Sequence, residues 1–115
     1  SLVRSFPIGS DIRIFSLKSL IKISKIQKKN REHTCYYFLK NSKKFKTYNY
    51  LASKMLNRTD IRLTIDYKED FELVKKVLIK NKNKKIRLRN IINIIDNNPE
   101  LKKINFKHPR TTVIN

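Results

Sequence analysis

The stretch RLTIDYKEDFELV, residues 62–74, carries the strongest structural signal in this chain. Its apolar beginning predicts a strand over 61–65, and its acidic continuation predicts a helix from Lys68 to about Ile79. Asp66 stands where the strand stops and the helix begins. A carboxylate at such a junction can hold a hard cation beside a phosphate, so the stretch points to chemistry as well as to fold.

Two predicted helices carry an apolar stripe at a spacing of three and four residues. In the helix over 68–79, the stripe predicted to be buried consists of Phe71, Val74 and Leu78. The helix predicted over 17–29 starts after Ser16, and its lysines fall mostly outside the stripe, as on a solvated face. Its stripe residues are Leu17, Leu20, Ile21, Ile23 and Ile26.

The remaining pattern adds two strands and three helical segments. Alternating apolar residues predict strands over 11–15 and 44–51, and helices are predicted over 31–41, 87–97 and, as one turn, 99–104. This order predicts an α/β fold whose strands would complete a larger sheet. We expect one domain over residues 1–106 and a disordered tail over 107–115.

Composition narrows the class of protein. The net charge is +19, but 48 of the 115 residues are Lys, Asn or Ile, which A/T-rich codons favour, so much of the charge is expected to be spread over a solvated surface. The chain has one glycine and does not begin with Met, which predicts a part of a longer protein. One cysteine and no run of about 20 apolar residues predict a cytoplasmic protein without a membrane partner.

Three segments, taken in order, resemble the C-terminal part of the cytidylyltransferases of the spore-coat-polysaccharide and acylneuraminate type, the CMP-sugar synthetases. They are FPIGSDIRIFS (6–16), REHTCYY (31–37) and the 62–74 stretch, and the resemblance extends to about residue 105. Arg13 stands where the family usually has Glu, and Cys35 stands where it usually has Pro. The resemblance implies the C-terminal portion of a Rossmann-like nucleotidyltransferase fold that lacks the N-terminal, nucleotide-binding half.

The resemblance also implies a function. Family members transfer CMP from CTP to an acidic or related sugar with Mg²⁺, release pyrophosphate, and pair as homodimers through this region, for which Tyr36–Leu39 or Phe45–Tyr50 would suit. This chain alone is expected to be inactive without its other half. The residues that match the family's sugar side are Gly9, Asp11, Arg31, Glu32 and His33, and those that match its metal-binding segment are Asp66 and Asp70.

Each of these assignments has a structural alternative. Asp66 also suits an ordinary helix cap, and Asp70 is favoured in a first helical turn by the helix dipole alone. His33 also suits an ordinary hydrogen-bonded helix position. The alternative function is of a different class, a small basic nucleic-acid-binding module. In it, bases would stack on Tyr36, Tyr37, Tyr48 and Tyr50, and flanking lysines would contact phosphates.

Overall fold

The computed structural model describes residues 3–26, 36–82 and 85–109. They fall into two compact units, which we name by their described residues: unit 1 is Val3, 12–26 and 36–50, and unit 2 is 4–11, 51–82 and 85–109. The helices, in chain order, are α1 (Leu17–Ile26), α2 (Tyr36–Lys40), a 3₁₀ turn (Ser42–Lys44), α3 (Lys68–Lys80), α4 (Leu88–Asp96) and α5 (Pro99–Lys103).

Unit 2 is built around three packed helices. Residues from α3, α4 and α5 and from the extended segment before α3 form one apolar cluster. α3 and α4 each contribute residues three or four positions apart, which lie on one helix face, and α5 contributes Leu101. Pro99 opens α5 at a position where its missing N–H costs nothing. The buried members of the cluster are Ile61, Leu73, Val77, Ile92, Ile95 and Leu101. The helices predicted over 68–79 and 87–97 and the turn over 99–104 are confirmed within one or two residues.

The stripe predicted for α3 is displaced by one position. The buried residues of α3 are Asp70, Leu73 and Val77, whereas Phe71 and Leu78 are exposed. Apolar residues occur on both sides of Leu73, so a spacing of three and four fits two neighbouring faces of the helix. The sequence pattern alone does not choose between these faces.

Strand formation is far more limited than the alternating pattern predicts. The predicted strands over 11–15 and 44–51 are wrong: no strand occurs there, and Ile12 and Ile14 are both exposed. In the segment predicted as a strand over 61–65, one residue, Arg62, forms an isolated parallel bridge with Ile8. Parallel strands need neighbouring strands and covered faces to form a sheet. Among the described residues no further strand lies beside this pair, so the pairing stays a single bridge.

Unit 1 has a small aromatic centre. The ring of Phe38 stacks on Phe15 with centroids 4.5 Å apart and lies 4.9 Å from Phe45. In α1 only Ile23 is buried, so the predicted burial of its whole apolar stripe is wrong. The helix predicted over 31–41 is observed as α2, and its predicted first residues, 31–35, lie outside the described part of the chain, as do 27–29 of the helix predicted over 17–29.

In the described ranges, no helix has the length and apolar character needed to cross a membrane. Of the predicted tail, Lys107, His108 and Pro109 are described, and His108 and Lys107 contact Glu69 on α3. Residues 110–115 lie outside the described ranges.

Candidate functional site

The Gly9 bend and the end of the 61–65 segment lie against each other in unit 2. The N–H of Ile8 donates to the carbonyl of Ile61 at 2.9 Å, and the N–H of Leu63 donates to the carbonyl of Ile8 at 2.7 Å. Gly9 has φ +95°, and a Cβ at this position would lie 2.7 Å from the backbone nitrogen of Thr64. Both the left-handed conformation and the close approach therefore require glycine.

A buried ion pair lies directly beside this contact. Arg62 Nε is 3.1 Å from Asp70 Oδ1, and the two side chains are 7 % and 0 % exposed. Asn105 Nδ2 donates to the same oxygen at 2.7 Å and to the carbonyl of Arg62 at 3.1 Å. Two buried charges are tolerated only when paired and fully hydrogen-bonded, and the asparagine supplies the additional bonds.

The surroundings of Asp70 keep it ionised. Burial alone would raise the pKa of its carboxyl group, but hydrogen bonds from Arg62, Asn105 and the backbone N–H of Asp66 outweigh burial and hold the pKa at about 2. The same pairing raises the pKa of Arg62. Asp70 is therefore ionised at neutral pH, and both of its carboxylate oxygens accept hydrogen bonds from described residues.

Asp66 is the accessible carboxylate of this group. Its side chain is 62 % exposed, and its Oδ2 accepts a hydrogen bond from Arg62 Nη2 at 2.5 Å. Its backbone N–H donates to Asp70 Oδ2 at 3.2 Å, as does the N–H of Tyr67. Tyr67, not Asp66, is the N-cap residue of α3, and the Asp70 carboxylate accepts the N–H groups of Asp66 and Tyr67, which precede the helix. The capping alternative for Asp66 is therefore wrong.

The segment after α5 packs beside the Arg62–Asp66–Asp70 group. The His108 ring stacks on Tyr67 with centroids 3.9 Å apart, and its Nε2 lies 2.9 Å from Glu69 Oε2. Lys107 Nζ is 2.6 Å from Glu69 Oε1, and together these contacts hold the pKa of Glu69 at about 2. Arg62 Nη1 donates to the carbonyl of Pro109 at 3.0 Å. Arg62 thus contacts both acids and the end of the described chain.

Thr64, whose backbone lies against Gly9, carries a buried hydroxyl group. Its Oγ1 is buried and has no hydrogen-bond partner among the residues that the structure describes. Most buried side-chain polar atoms are hydrogen-bonded in high-resolution structures. This atom is therefore available to a group that the described residues do not supply.

Of the other site residues predicted from sequence, one is described by the structure and three are not. Asp11 lies in unit 2 and forms a long ion pair, 4.0 Å, with Arg4. The predicted sugar-side residues Arg31, Glu32 and His33 lie outside the described residues. Within the described ranges, no group of three or more His, Cys, Asp or Glu side chains is arranged to hold a metal ion.

Sequence reasoning missed two residues of the site. Arg62 lies in the extended segment before α3, so its spacing of four and eight residues from the two acids is not the helical spacing that signals an ion pair. Asn105 lies 35 residues from Asp70, and nothing in its local sequence indicates the contact.

A curated protein is similar in sequence to this chain. The chain is 33% identical over 100 residues to a curated protein of Methanocaldococcus jannaschii, "uncharacterized protein MJ1063". The match covers 85% of this chain and 41% of the relative, so the chain spans about two fifths of the length of the curated protein it matches. No known protein family matches the chain, and no solved structure matches it significantly.

Proposed function

We propose that this chain is the C-terminal, sugar-side part of a cytidylyltransferase, an enzyme that transfers CMP from CTP to an acidic sugar and releases pyrophosphate. One observation carries the proposal. The parallel pairing of Ile8 with Arg62 brings the bend at Gly9 against the backbone of Thr64. Two segments that resemble the family's sugar-side and metal-binding segments therefore meet in space, at the carboxyl ends of parallel extended segments, where α/β proteins bind ligands.

The two acids have different roles in this proposal. Asp70 is a positioning residue, because it accepts the backbone N–H of Asp66 and holds the guanidinium of Arg62. Asp66 supplies the accessible carboxylate, and its Oδ1 has no partner among the described residues. Bound Mg²⁺ would neutralise charge on the reacting phosphate, and it takes one or two carboxylates together with phosphate oxygens and water. The donor set of this chain fits such a shared site through Asp66 alone.

The CTP-binding half belongs to a longer protein in this proposal. The chain has a single glycine, at position 9, whereas backbone loops that cradle phosphates need several. The M. jannaschii relative is more than twice as long as the matched region, which leaves room for such a half there. The chain alone is then inactive. A homodimer is part of the proposal, and Tyr48, which is 89 % exposed, would lie in the subunit contact.

The test is pyrophosphate release from CTP and an acidic sugar by the longer protein, with Mg²⁺ present. We expect Asp66→Asn to lower kcat on the order of 100-fold or more, while its melting temperature falls by at most a few degrees. Asp96→Asn is the matched control, because Asp96 is also a half-exposed carboxylate that contacts an arginine, Arg58. Equal activity of both variants, or no CTP-dependent release by the wild type, would contradict the proposal.

A nucleic-acid-binding module is the second candidate, and one observation favours it. Tyr48 and Tyr50 are 89 % and 73 % exposed on an irregular segment that follows the exposed Lys46. Stacking of bases on such rings, with lysines on phosphates, is typical of single-strand binding. Fluorescence anisotropy with a single-stranded oligonucleotide tests it: we would expect steeply salt-dependent binding that Tyr48→Ala weakens several-fold.

A further inference from the structure

The segment 12–26 of unit 1 exposes apolar and cationic side chains together, and we call it the α1 surface. Ile12 and Ile14 are 87 % and 92 % exposed, and Leu17 is 71 % exposed. Arg13 and the three lysines of α1 are exposed as well, and the segment contains no Asp or Glu. Exposed apolar residues scattered singly need no explanation, but a contiguous group of them marks an interaction surface.

In α1 the two kinds of side chain are separated around the helix. Leu17, Leu20 and Ile21 are spaced by three and four residues and share one face, and all three are exposed. The adjacent strip is occupied by lysines at the same spacing, Lys18, Lys22 and Lys25. A helix with an apolar face beside a lysine strip can lie in an interface with its apolar side inserted and its ammonium groups at the polar boundary.

The positive charge of unit 1 indicates which kind of partner the α1 surface would bind. Residues 12–50 contain eleven Lys and Arg and one acid, Glu32, which lies outside the described residues. A second copy would bring the same cations against these cations. A nucleic acid would neutralise the lysines but would leave Leu17, Ile21 and the two exposed isoleucines in water. An anionic lipid surface supplies both an apolar layer and negative headgroups.

We propose that the α1 surface binds the surface of membranes that contain anionic lipids, with α1 lying in the interface. The sequence predicted no membrane partner because no segment could span a bilayer, but lying on its surface needs no span. The apolar residues of 12–26 insert at the boundary of headgroups and acyl chains, and the lysines contact lipid phosphates. This binding does not depend on the proposed transferase activity.

Co-sedimentation of the 115-residue chain with phosphatidylcholine vesicles, with or without phosphatidylglycerol, tests the proposal. We expect binding that requires the anionic lipid and weakens with salt. Lys18→Gln with Lys22→Gln should weaken it on the order of tenfold or more, and so should Leu17→Ser with Ile21→Ser. The matched controls are Lys75→Gln with Lys76→Gln and Ile79→Ser, which change exposed residues of the same kinds on α3 and should bind as wild type.

Three outcomes would overturn the proposal. One is equal weakening by the α3 controls, which would indicate binding by net charge alone. Another is no vesicle binding together with a dimer in sedimentation velocity that Leu17→Ser with Ile21→Ser dissociates. The last is oligonucleotide binding without vesicle binding. Far-UV circular dichroism identifies variants that have lost helix, and in that case the single variant Leu17→Ser, which changes a largely exposed side chain, replaces the pair.

Discussion

Cationic side chains have different surroundings in the two units. In unit 2 Arg58 contacts Asp60 and Asp96, Arg62 contacts Asp66 and Asp70, and Lys102 contacts Asp60. In unit 1 the described residues include no acid, and all described cations are exposed: Arg13, Lys18, Lys22, Lys25, Lys40, Lys43, Lys44 and Lys46. Charge therefore helps to hold unit 2 together. The cations of the α1 surface have no acid of unit 1 among the described residues and remain available to a partner of opposite charge.

The buried pair in unit 2 gives the largest expected effect. Asp70→Asn removes the charge that faces Arg62 at 3.1 Å and leaves a guanidinium that is 7 % exposed without this partner. We expect the free energy of unfolding to fall by about 3 to 5 kcal/mol, measured by urea unfolding. Asp66→Asn is the control, because its carboxylate is largely exposed, and it should cost about 1 kcal/mol or less. Equal losses in both variants would show that the buried pair is not the stabilising contact.

A second comparison concerns leucines in helices of the two units. Leu73 in α3 is 1 % exposed within the apolar cluster, whereas Leu17 in α1 is 71 % exposed. Leu73→Ala should therefore lower the free energy of unfolding by about 2 to 5 kcal/mol, and Leu17→Ala by less than about 0.5 kcal/mol. A large loss from Leu17→Ala, measured by the same unfolding curves, would mean that a partner covers Leu17 in solution.

The helices of unit 2 could be predicted because their signals are local. Apolar spacing, acids in the first turn and Pro99 all act within a few residues of the element they define. The face that α3 buries could not be predicted in this way. Phe71 and Leu73 suit neighbouring faces equally well by spacing, and the buried face is the one that also carries Asp70, which contacts Arg62 and the distant Asn105.

Local sequence also could not predict the strands or part of the candidate site. Alternation over 11–15 and 44–51 predicts strands, but a strand needs a partner, and the described residues provide one parallel bridge, at Ile8 and Arg62. The position of Asp66 after the apolar run predicts that it holds a hard cation; its carboxylate is 62 % exposed, and the metal role stays a prediction. The burial of Asp70 depends on residues up to 35 positions away, so local sequence could not reveal it.

Low pH should destabilise unit 2 by protonating Asp70 in its pair with Arg62. The pKa of Asp70 is about 2 in the folded chain, below its ordinary value of about 3.9, so the carboxylate stabilises the folded state above that value. This stabilisation, about 2 kcal/mol, should be lost as the pH falls from about 5 through about 2. Unfolding free energies measured across this range should fall less steeply for Asp70→Asn than for the wild type. Parallel pH profiles would contradict the assignment.

The smallest expected effect comes from removing single lysines, and it directly compares a cation paired with an acid in unit 2 with a cation of the α1 surface. Lys102 Nζ lies 2.5 Å from Asp60 Oδ2, with both side chains partly exposed, and this acid also contacts Arg58, whose hydrogen bonds lower the pKa of Asp60. Lys102→Gln should cost about 0.5 to 1 kcal/mol, as is usual for partly exposed pairs, and added salt should reduce the loss. Lys18→Gln, on the acid-free surface of unit 1, should leave the free energy of unfolding unchanged or raise it slightly, because it relieves repulsion among like charges. If both variants lost the same stability, the cations of unit 1 would have structural partners, and the α1 surface would not be free to bind anionic lipid.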